Sequence, residues 1–469
     1  MKHTLLAALT RSAIGTIGLI VAVLSAVLIV LLATISAADM AGPGPYFGIA
    51  SYVILPGLLV LGLLLIVGGL AWQRRRARRA ARRAGAPKPP LPVFDLNSAT
   101  TRTSVAGISL AAIAMLGILA GAGYKGVQVL DSTQFCTQAC HAVMQPEAVA
   151  HERSPHARVA CVDCHVGPGA SWFVKAKING LVEMVELATN SFPRPIPTPI
   201  DNLRPARVVC EQCHWPAHFL GDRLVIHTHY ASDEANTATK TVLMVHIGGQ
   251  SGTSFGGIHW HVAPGVAVRF LSDPSREHIY TVELTTADGT RKTFKDGTAP
   301  PVNAQWRTMD CVDCHNRPTH TFRPPGEEID AALGDGRIDT SLPFIKREGL
   351  SVLQVAYSSQ AQGQRSIRTA IDEFYRSKYP AVASGRASAV AAAGKALGEI
   401  WSWNVFPYMK VTWNTYPNHL GHEQSPGCFR CHDNHHVTGD GERIPRKCDL
   451  CHDVLAQDDP SPAILKELQ

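Results

Sequence analysis

No cysteine occurs before residue 136, and none of the later ones is left without a near neighbour, so no stray thiol needs explaining. Charge is almost missing from the first 73 residues, which excludes an ordinary solvated domain there. The loop around Ala38 to Pro45 has neither lysine nor arginine, and residues 221–305 have no cysteine. The net charge of +6 is no guide to partners, because the run from Arg74 to Arg83 supplies seven arginines by itself. Beside a long apolar stretch such a run reports membrane topology, so no nucleic-acid partner is expected.

What is present is a set of twelve cysteines in six close pairs: Cys136/Cys140, Cys161/Cys164, Cys210/Cys213, Cys311/Cys314, Cys428/Cys431 and Cys448/Cys451. A histidine follows each second cysteine: His141, His165, His214, His315, His432 and His452. Structural zinc sites and disulfide frameworks also use paired cysteines, but neither requires a histidine at that place every time. Cys-x-x-Cys-His is the attachment signature of heme c: the thiols form thioethers and the adjacent imidazole is placed to bind the iron. Six covalently bound hemes are expected. The first motif, Cys136-Thr-Gln-Ala-Cys140-His141, carries one extra residue between its cysteines.

Three segments are long and apolar enough to cross a bilayer as helices, which takes about 20 residues. They lie between Arg11 and Asp39, from about Tyr46 to Trp72, and between Arg102 and Lys125. Lys2, Arg11, the arginine run, Lys88 and Arg102 all fall on one side of this arrangement. The positive-inside rule puts that side, with the N-terminus, in the cytoplasm, and the chain after the third span outside it. A signal peptide cut near Ser36-Ala37-Ala38 competes for the first span and would leave the other two oriented the same way.

The expected fold is mainly α with much irregular structure: three N-terminal transmembrane helices and a periplasmic multiheme cytochrome c domain containing a small β-hairpin insertion. Its divisions are two membrane helices (1–73), a cytoplasmic Arg/Pro-rich linker (74–103), the third membrane helix (104–126), a triheme region (127–220), a β-containing insertion (221–305) and a second triheme region (306–469). The hairpin is expected at Tyr280–Leu284 and Arg291–Phe294, around Ala287-Asp-Gly-Thr290. Residues 345–405, rich in alanine with few breakers, read as helical. With so little regular apolar repeat, the hemes themselves are expected to supply much of the core.

The residues Phe135-Cys-Thr-Gln-Ala-Cys-His-Ala-Val-Met-Gln-Pro-Glu147, then Ser154-Pro-His156, then Cys161-Val-Asp-Cys-His165, resemble the NapC/NirT family of membrane-anchored quinol dehydrogenases. The resemblance runs on through Lys177-Ile-Asn-Gly-Leu-Val-Glu183 to Cys210-Glu-Gln-Cys-His214, covering about residues 104–220. It implies oxidation of menaquinol or another quinol from the membrane pool and delivery of electrons to periplasmic cytochromes or a reductase complex. Small members of that family have one span and four or five hemes, and three spans leave room for a membrane complex partner. In family members a methionine near the first motif can ligate iron. Here it is Met144, three places after His141 instead of two, so either residue remains open as ligand to the first heme.

The stretch 170–190 mixes apolar residues with Lys175, Lys177, Glu183 and Glu186, as an interfacial helix does. By the family's pattern Lys177 and Glu183 hold the quinol or take its proton; the bland alternative is that they snorkel or face water. Second axial ligands come from fourteen further histidines. His156 fits the family's Ser-x-His pattern, and His320, His419, His422, His435 and His436 lie close to motifs. His218, His227, His229, His246, His259 and His261 are less anchored, and Trp215, Trp260 and Trp306 are expected to pack. Two rivals stand beside the quinol reading: a terminal reductase of a small oxyanion or nitrogen compound, and an electron-relay subunit that never touches quinol. No Cys-x-x-Cys-Lys site is present to favour the reductase.

Overall fold

The computed structural model describes residues 12–37, 50–87, 97–139, 141–167, 169–200, 204–214, 221–251 and 254–467. The chain forms two compact units, Met1–His141 and Ala142–Gln469.

The first unit is built on three helices, α1 (Ala13–Ala37), α2 (Leu55–Arg83) and α3 (Ala99–Leu130), each long and apolar enough to cross a membrane. Most of their side chains face outward, because lipid is as good a solvent for leucine as another helix. Close packing is left to small residues. A Cβ on Gly18 would stand 2.7 Å from the Gly62 carbonyl oxygen, and one on Gly62 would stand 2.7 Å from the Ala22 amide. Ala22, Ile29, Leu59 and Ala122 fill the interior. Helix α2 continues past its apolar part to Arg83, so the first arginines extend the helix as expected, while residues 88–96 of the linker lie outside the described residues. Helix α3 is longer at both ends than its apolar stretch.

In the second unit, α4 (His141–Glu152), α5 (Cys161–His165), α6 (Ala170–Thr189) and α7 (Ala206–Cys210) precede the β region. That region is richer than one hairpin. Strands β1 (Arg223–Tyr230) and β2 (Ala238–Val245) form a sheet with β9 (His452–Asp459), while β3 (Gly249–Ser251) pairs with β4 (Ser254–Gly256). A four-stranded antiparallel sheet has the order β7-β6-β5-β8, from β5 (Ala267–Ser272), β6 (Ile279–Thr285), β7 (Arg291–Lys295) and β8 (Gln305–Thr308). The expected hairpin is β6–β7, pairing Thr281 with Lys295 and Thr285 with Arg291. The alternation of Val266–Phe270 also marks a strand, β5. By contrast, β9 escaped a local reading because it pairs with residues about two hundred positions earlier, and β1 because its short aliphatic run gives way to His-Thr-His.

After α8 (Cys311–Cys314) comes a helical block: α9 (Pro325–Gly334), α10 (Ile345–Leu353), α11 (Gln360–Lys378), α12 (Pro380–Gly385) and α13 (Ala387–Asn404). It encloses a conventional apolar core of Ile329, Ile338, Leu342, Ile345, Leu353, Ile367, Ile371, Tyr375, Leu397, Ile400 and Trp401. The expectation that hemes supply much of the core therefore fails for this block, whose aliphatics recur at helical spacing and bury one another. Asp330 ties the block to β1, accepting from the Tyr230 amide (3.1 Å) and pairing with the buried Lys346 ammonium (2.5 Å).

Candidate heme-binding site

Each of the five regular motifs begins on or ends a short helical turn: α5, α7, α8, and the 3₁₀ turns Gly427–Arg430 and Cys448–Leu450. One turn brings cysteines three apart to the same side and puts the following histidine beside them. Acidic residues fix two of these turns. Asp163 Oδ2 accepts from the Ala160 amide (3.1 Å), and Asp313 Oδ2 accepts from the Asp310 amide (2.7 Å), both in Cys-Val-Asp-Cys-His sequences. The first motif enters differently, through the π turn Phe135–Ala139. A π turn closes its hydrogen bond one residue later than an α turn, which takes up the extra residue of Cys136-Thr-Gln-Ala-Cys140. Cys140 itself lies outside the described residues.

The histidines then fall into pairs from distant parts of the chain. His156 stands 5.8 Å from His214 between ring centres, His165 stands 6.3 Å from His320, and His259 stands 6.5 Å from His315. His261 and His432 are 5.9 Å apart, and His422 and His452 are 6.2 Å apart. An imidazole nitrogen binds a metal at about 2 Å, so two rings on opposite sides of one ion have centres roughly 6 Å apart. Each regular motif histidine thus faces one other histidine at the spacing an axial pair requires. The residues fit heme c.

The outward nitrogens agree. His259 Nδ1 donates to the Ile247 carbonyl (3.0 Å), His261 Nδ1 to that of Ile258 (2.7 Å), His432 Nδ1 to that of Pro445 (3.0 Å) and His320 Nδ1 to that of Glu147 (3.2 Å). A carbonyl can only accept, so Nδ1 carries the proton in all four rings and Nε2 keeps its lone pair for a metal. Desolvation by the surrounding protein pushes His165, His261 and His315 further toward the neutral form a ligand needs. Glu147 beside His320 is driven up by burial, but the hydrogen bond with His320 and the Arg317 guanidinium outweigh this and hold it below the usual carboxylate range.

The five regular motifs sit side by side in chain order. Asp310, ahead of α8, accepts from the Ala206 amide at the start of α7 (2.8 Å), and the Cys210 and Cys311 thiols are within hydrogen-bonding reach. Arg430, inside the fifth motif, donates to the Asp313 carbonyl of the fourth (2.6 Å) and to that of Arg276 (2.7 Å). Asp313 is buried and paired with Arg307 at 2.6 Å. The Cys164 thiol is close enough to Cys210 and Cys213, and Cys451 to Cys428, for their charges to interact. Hydrogen bonds and ion pairs thus staple one heme segment to the next.

Of the sequence candidates, the structure sets His156, His320 and His422 opposite motif histidines, together with His259 and His261 from the less anchored group. These two share the 3₁₀ turn Ile258–Val262 of the β region, far in sequence from the motifs they face, and His-x-His was their only signal. Two nearer candidates, His436 and His419, have ring nitrogens engaged elsewhere. His436 is buried, with Nε2 donating to the Ile279 carbonyl (3.0 Å) and Nδ1 on Asp433 (3.1 Å), so both ring nitrogens are used. His419 Nε2 meets Glu277 at 2.8 Å, while His435 is exposed and only its backbone amide is tied, to Asp433. His229 pairs with Asp330, and His246 with Asp222 and Asp453. His227 lies exposed on β1. Trp260 packs edge-on against His261, Trp306 carries Arg269 over its ring, and Trp215 and His218 lie outside the described residues. Met144 lies in α4, three residues after His141 in sequence.

Helix α6 carries Lys177 and Glu183. Val174, Ile178, Leu181, Val182 and Val185 recur on it at helical spacing and are each 54–63% exposed, an apolar stripe turned outward. At 3.6 residues per turn Lys177 flanks this stripe, and Glu183 lies about 120° further round. The Lys177 ammonium stands 5.0 Å over the Phe173 ring and that of Lys175 4.8 Å over Trp172. Partial desolvation, then repulsion from Glu186, raises the Glu183 carboxyl above its ordinary value.

Comparison with known proteins agrees with this geometry. Residues 98–195 match the N-terminal region of the NapC/NirT cytochrome c family. The cytochrome c-type protein ImcH of Geobacter sulfurreducens is 42% identical over 420 residues, covering 88% of this chain and 82% of that protein. No solved structure matches the chain. With paired cysteines and opposed histidines behind apolar helices, the chain belongs to the NapC/NirT family of membrane-anchored multiheme c-type cytochromes.

Proposed function

We propose that the protein is a hexaheme quinol dehydrogenase, oxidising menaquinol or another quinol at the membrane and supplying electrons to periplasmic cytochromes or a reductase complex. The N-terminus and arginine run lie in the cytoplasm, and the heme domain faces the periplasm across the bacterial inner membrane. Its parts are those read from the sequence, with 127–220 and 306–469 each holding three hemes around the 221–305 insertion. Heme c, when bound, supplies one-electron redox chemistry at each site. The irons would be held by His165 and His320, His214 and His156, His315 and His259, His432 and His261, and His452 and His422, with His141 or Met144 serving the first.

The apolar stripe of α6 carries the quinol reading. A helix that turns Val174, Ile178, Leu181 and Val185 outward is suited to lie in the headgroup region, where quinol is met. Lys177, at the edge of the stripe, binds a quinol oxygen, and Glu183, toward water, takes the released proton; its raised pKa brings it nearer the working pH of a general base. The test is heme reduction by a menaquinol analogue in purified protein. Reduction that is lost in Lys177→Ala and slowed in Glu183→Ala is expected, whereas no reduction of the parent, or no effect of either substitution, overturns the reading.

A further inference from the structure

One axial pair differs from the others in what stands behind its ring. His320 Nδ1, besides reaching the Glu147 carbonyl, lies 3.0 Å from the Glu147 carboxylate. Both oxygens of that carboxylate are 3.2 Å from Arg317 Nη2. Arg317 also donates from Nε to the His320 carbonyl (2.5 Å), and its guanidinium lies 4.1 Å over the Tyr416 ring. Arg317 and Glu147 are 8% and 13% exposed, so little water screens the contact. His259, His261 and His432 rest on neutral carbonyls instead.

We infer that Glu147 is a positioning residue for His320, and that its charge makes the heme held between His165 and His320 harder to reduce than those backed by carbonyls. The inference rests on the axial pairing proposed above. A carboxylate accepting from the outward N–H of a ligand imidazole pulls that proton away and makes the inward nitrogen a stronger donor, which favours the oxidised iron. Arg317 sets the size of the effect, because it orients the carboxylate while neutralising part of its charge. A neutral acceptor in the same place keeps the ring orientation and removes the electrostatic bias. This chemistry separates positioning from charge.

The experiment is a spectroscopically followed redox titration of the full-length, heme-loaded protein in detergent, comparing the parent with Glu147→Gln, Glu147→Asp and His320→Ala. His320→Ala identifies the heme, since it should turn one low-spin center high-spin. In Glu147→Gln all centers should stay low-spin while that one becomes easier to reduce. The expected gain is about tenfold in its reduced-to-oxidised ratio at fixed potential, which for one electron is about 59 mV. Glu147→Asp, keeping the charge, should move the midpoint back toward the parent. Unchanged midpoints in Glu147→Gln overturn the role of charge, and loss of the low-spin signal in that variant reduces Glu147 to a structural support. If His320→Ala leaves the spectrum unaltered, the axial pairing itself fails, a result distinct from both.

Discussion

The helical block and the heme segments beside it belong to one unit but are held together by opposite means. In the block, Ile329, Ile345, Ile367, Ile371, Tyr375, Leu397 and Ile400 are completely buried. Gly363 lets the Trp401 ring in so closely that a Cβ there would meet it at 2.5 Å. At the five regular motifs the helices are turns of three to five residues, and Cys164, Cys213 and Cys448 remain exposed. A small apolar cluster of Ala150, Phe322, Phe406, Met409, Val411 and Tyr416 joins part of the heme segments, and point contacts such as Arg430 on the Asp313 carbonyl join others. Apolar area removed from water stabilises the block by itself. The heme segments have smaller clusters of it, and the covalent cofactor would add to their apolar contacts.

The largest effect should come from breaking the second kind of support. In Cys311→Ala/Cys314→Ala, limited proteolysis should cut residues 206–320 more than about tenfold faster than in the parent, whereas 325–404 should resist as before, since sub-global opening follows local stability. Cleavage spreading equally into the block would erase the distinction. The complementary break is Trp401→Ala, which empties a fully buried site and should cost about 3–5 kcal/mol. Urea unfolding followed by circular dichroism checks this, and the heme content of the folded protein should not change.

These contrasts also explain what the sequence made legible. Attachment is written in contiguous residues, so six cysteine pairs with His141 to His452 could be found without a structure. The three spans and the helices between 345 and 405 are likewise local, announced by composition and spacing. The histidines that face the motif histidines are not local. His156, His320 and His422 could be chosen because they sit near motifs or in a family pattern, but nearness equally recommended His419, His435 and His436. His259 and His261 come from a β region whose own sheet closes through β9, residues 452–459. No periodicity in their neighbourhood points to Cys311 or Cys428.

That difference can be sharpened one residue at a time. His259→Ala should convert one heme to high-spin, visible in the absorption and electron paramagnetic resonance spectra, and His261→Ala should do the same to another. His436→Ala should leave all of them low-spin and cost only about 1–3 kcal/mol, the price of stranding Asp433 and the Ile279 carbonyl. A high-spin heme in His436→Ala would move the axial assignment back toward the motif-proximal residues.

The smallest effect is expected on α6, which reverses the block's arrangement by displaying Val174, Ile178 and Leu181 instead of hiding them. Glu183 is the group there whose protonation can be followed. Desolvation and Glu186 raise its pKa, so its ionised, proton-accepting form is complete only above that raised value and is lost as pH falls through it. The rate of heme reduction by a quinol analogue should therefore decline on the acid side at a pH above the ordinary carboxylate range. Glu183→Gln should lower the plateau by about tenfold, or roughly 1.4 kcal/mol, and remove that limb. Glu186→Gln should keep the limb and move it to lower pH, because the neighbouring charge that helps raise Glu183 is gone. A limb that survives unmoved in both variants would assign the proton to a group outside α6, and the helix would then serve only to seat the unit on the membrane.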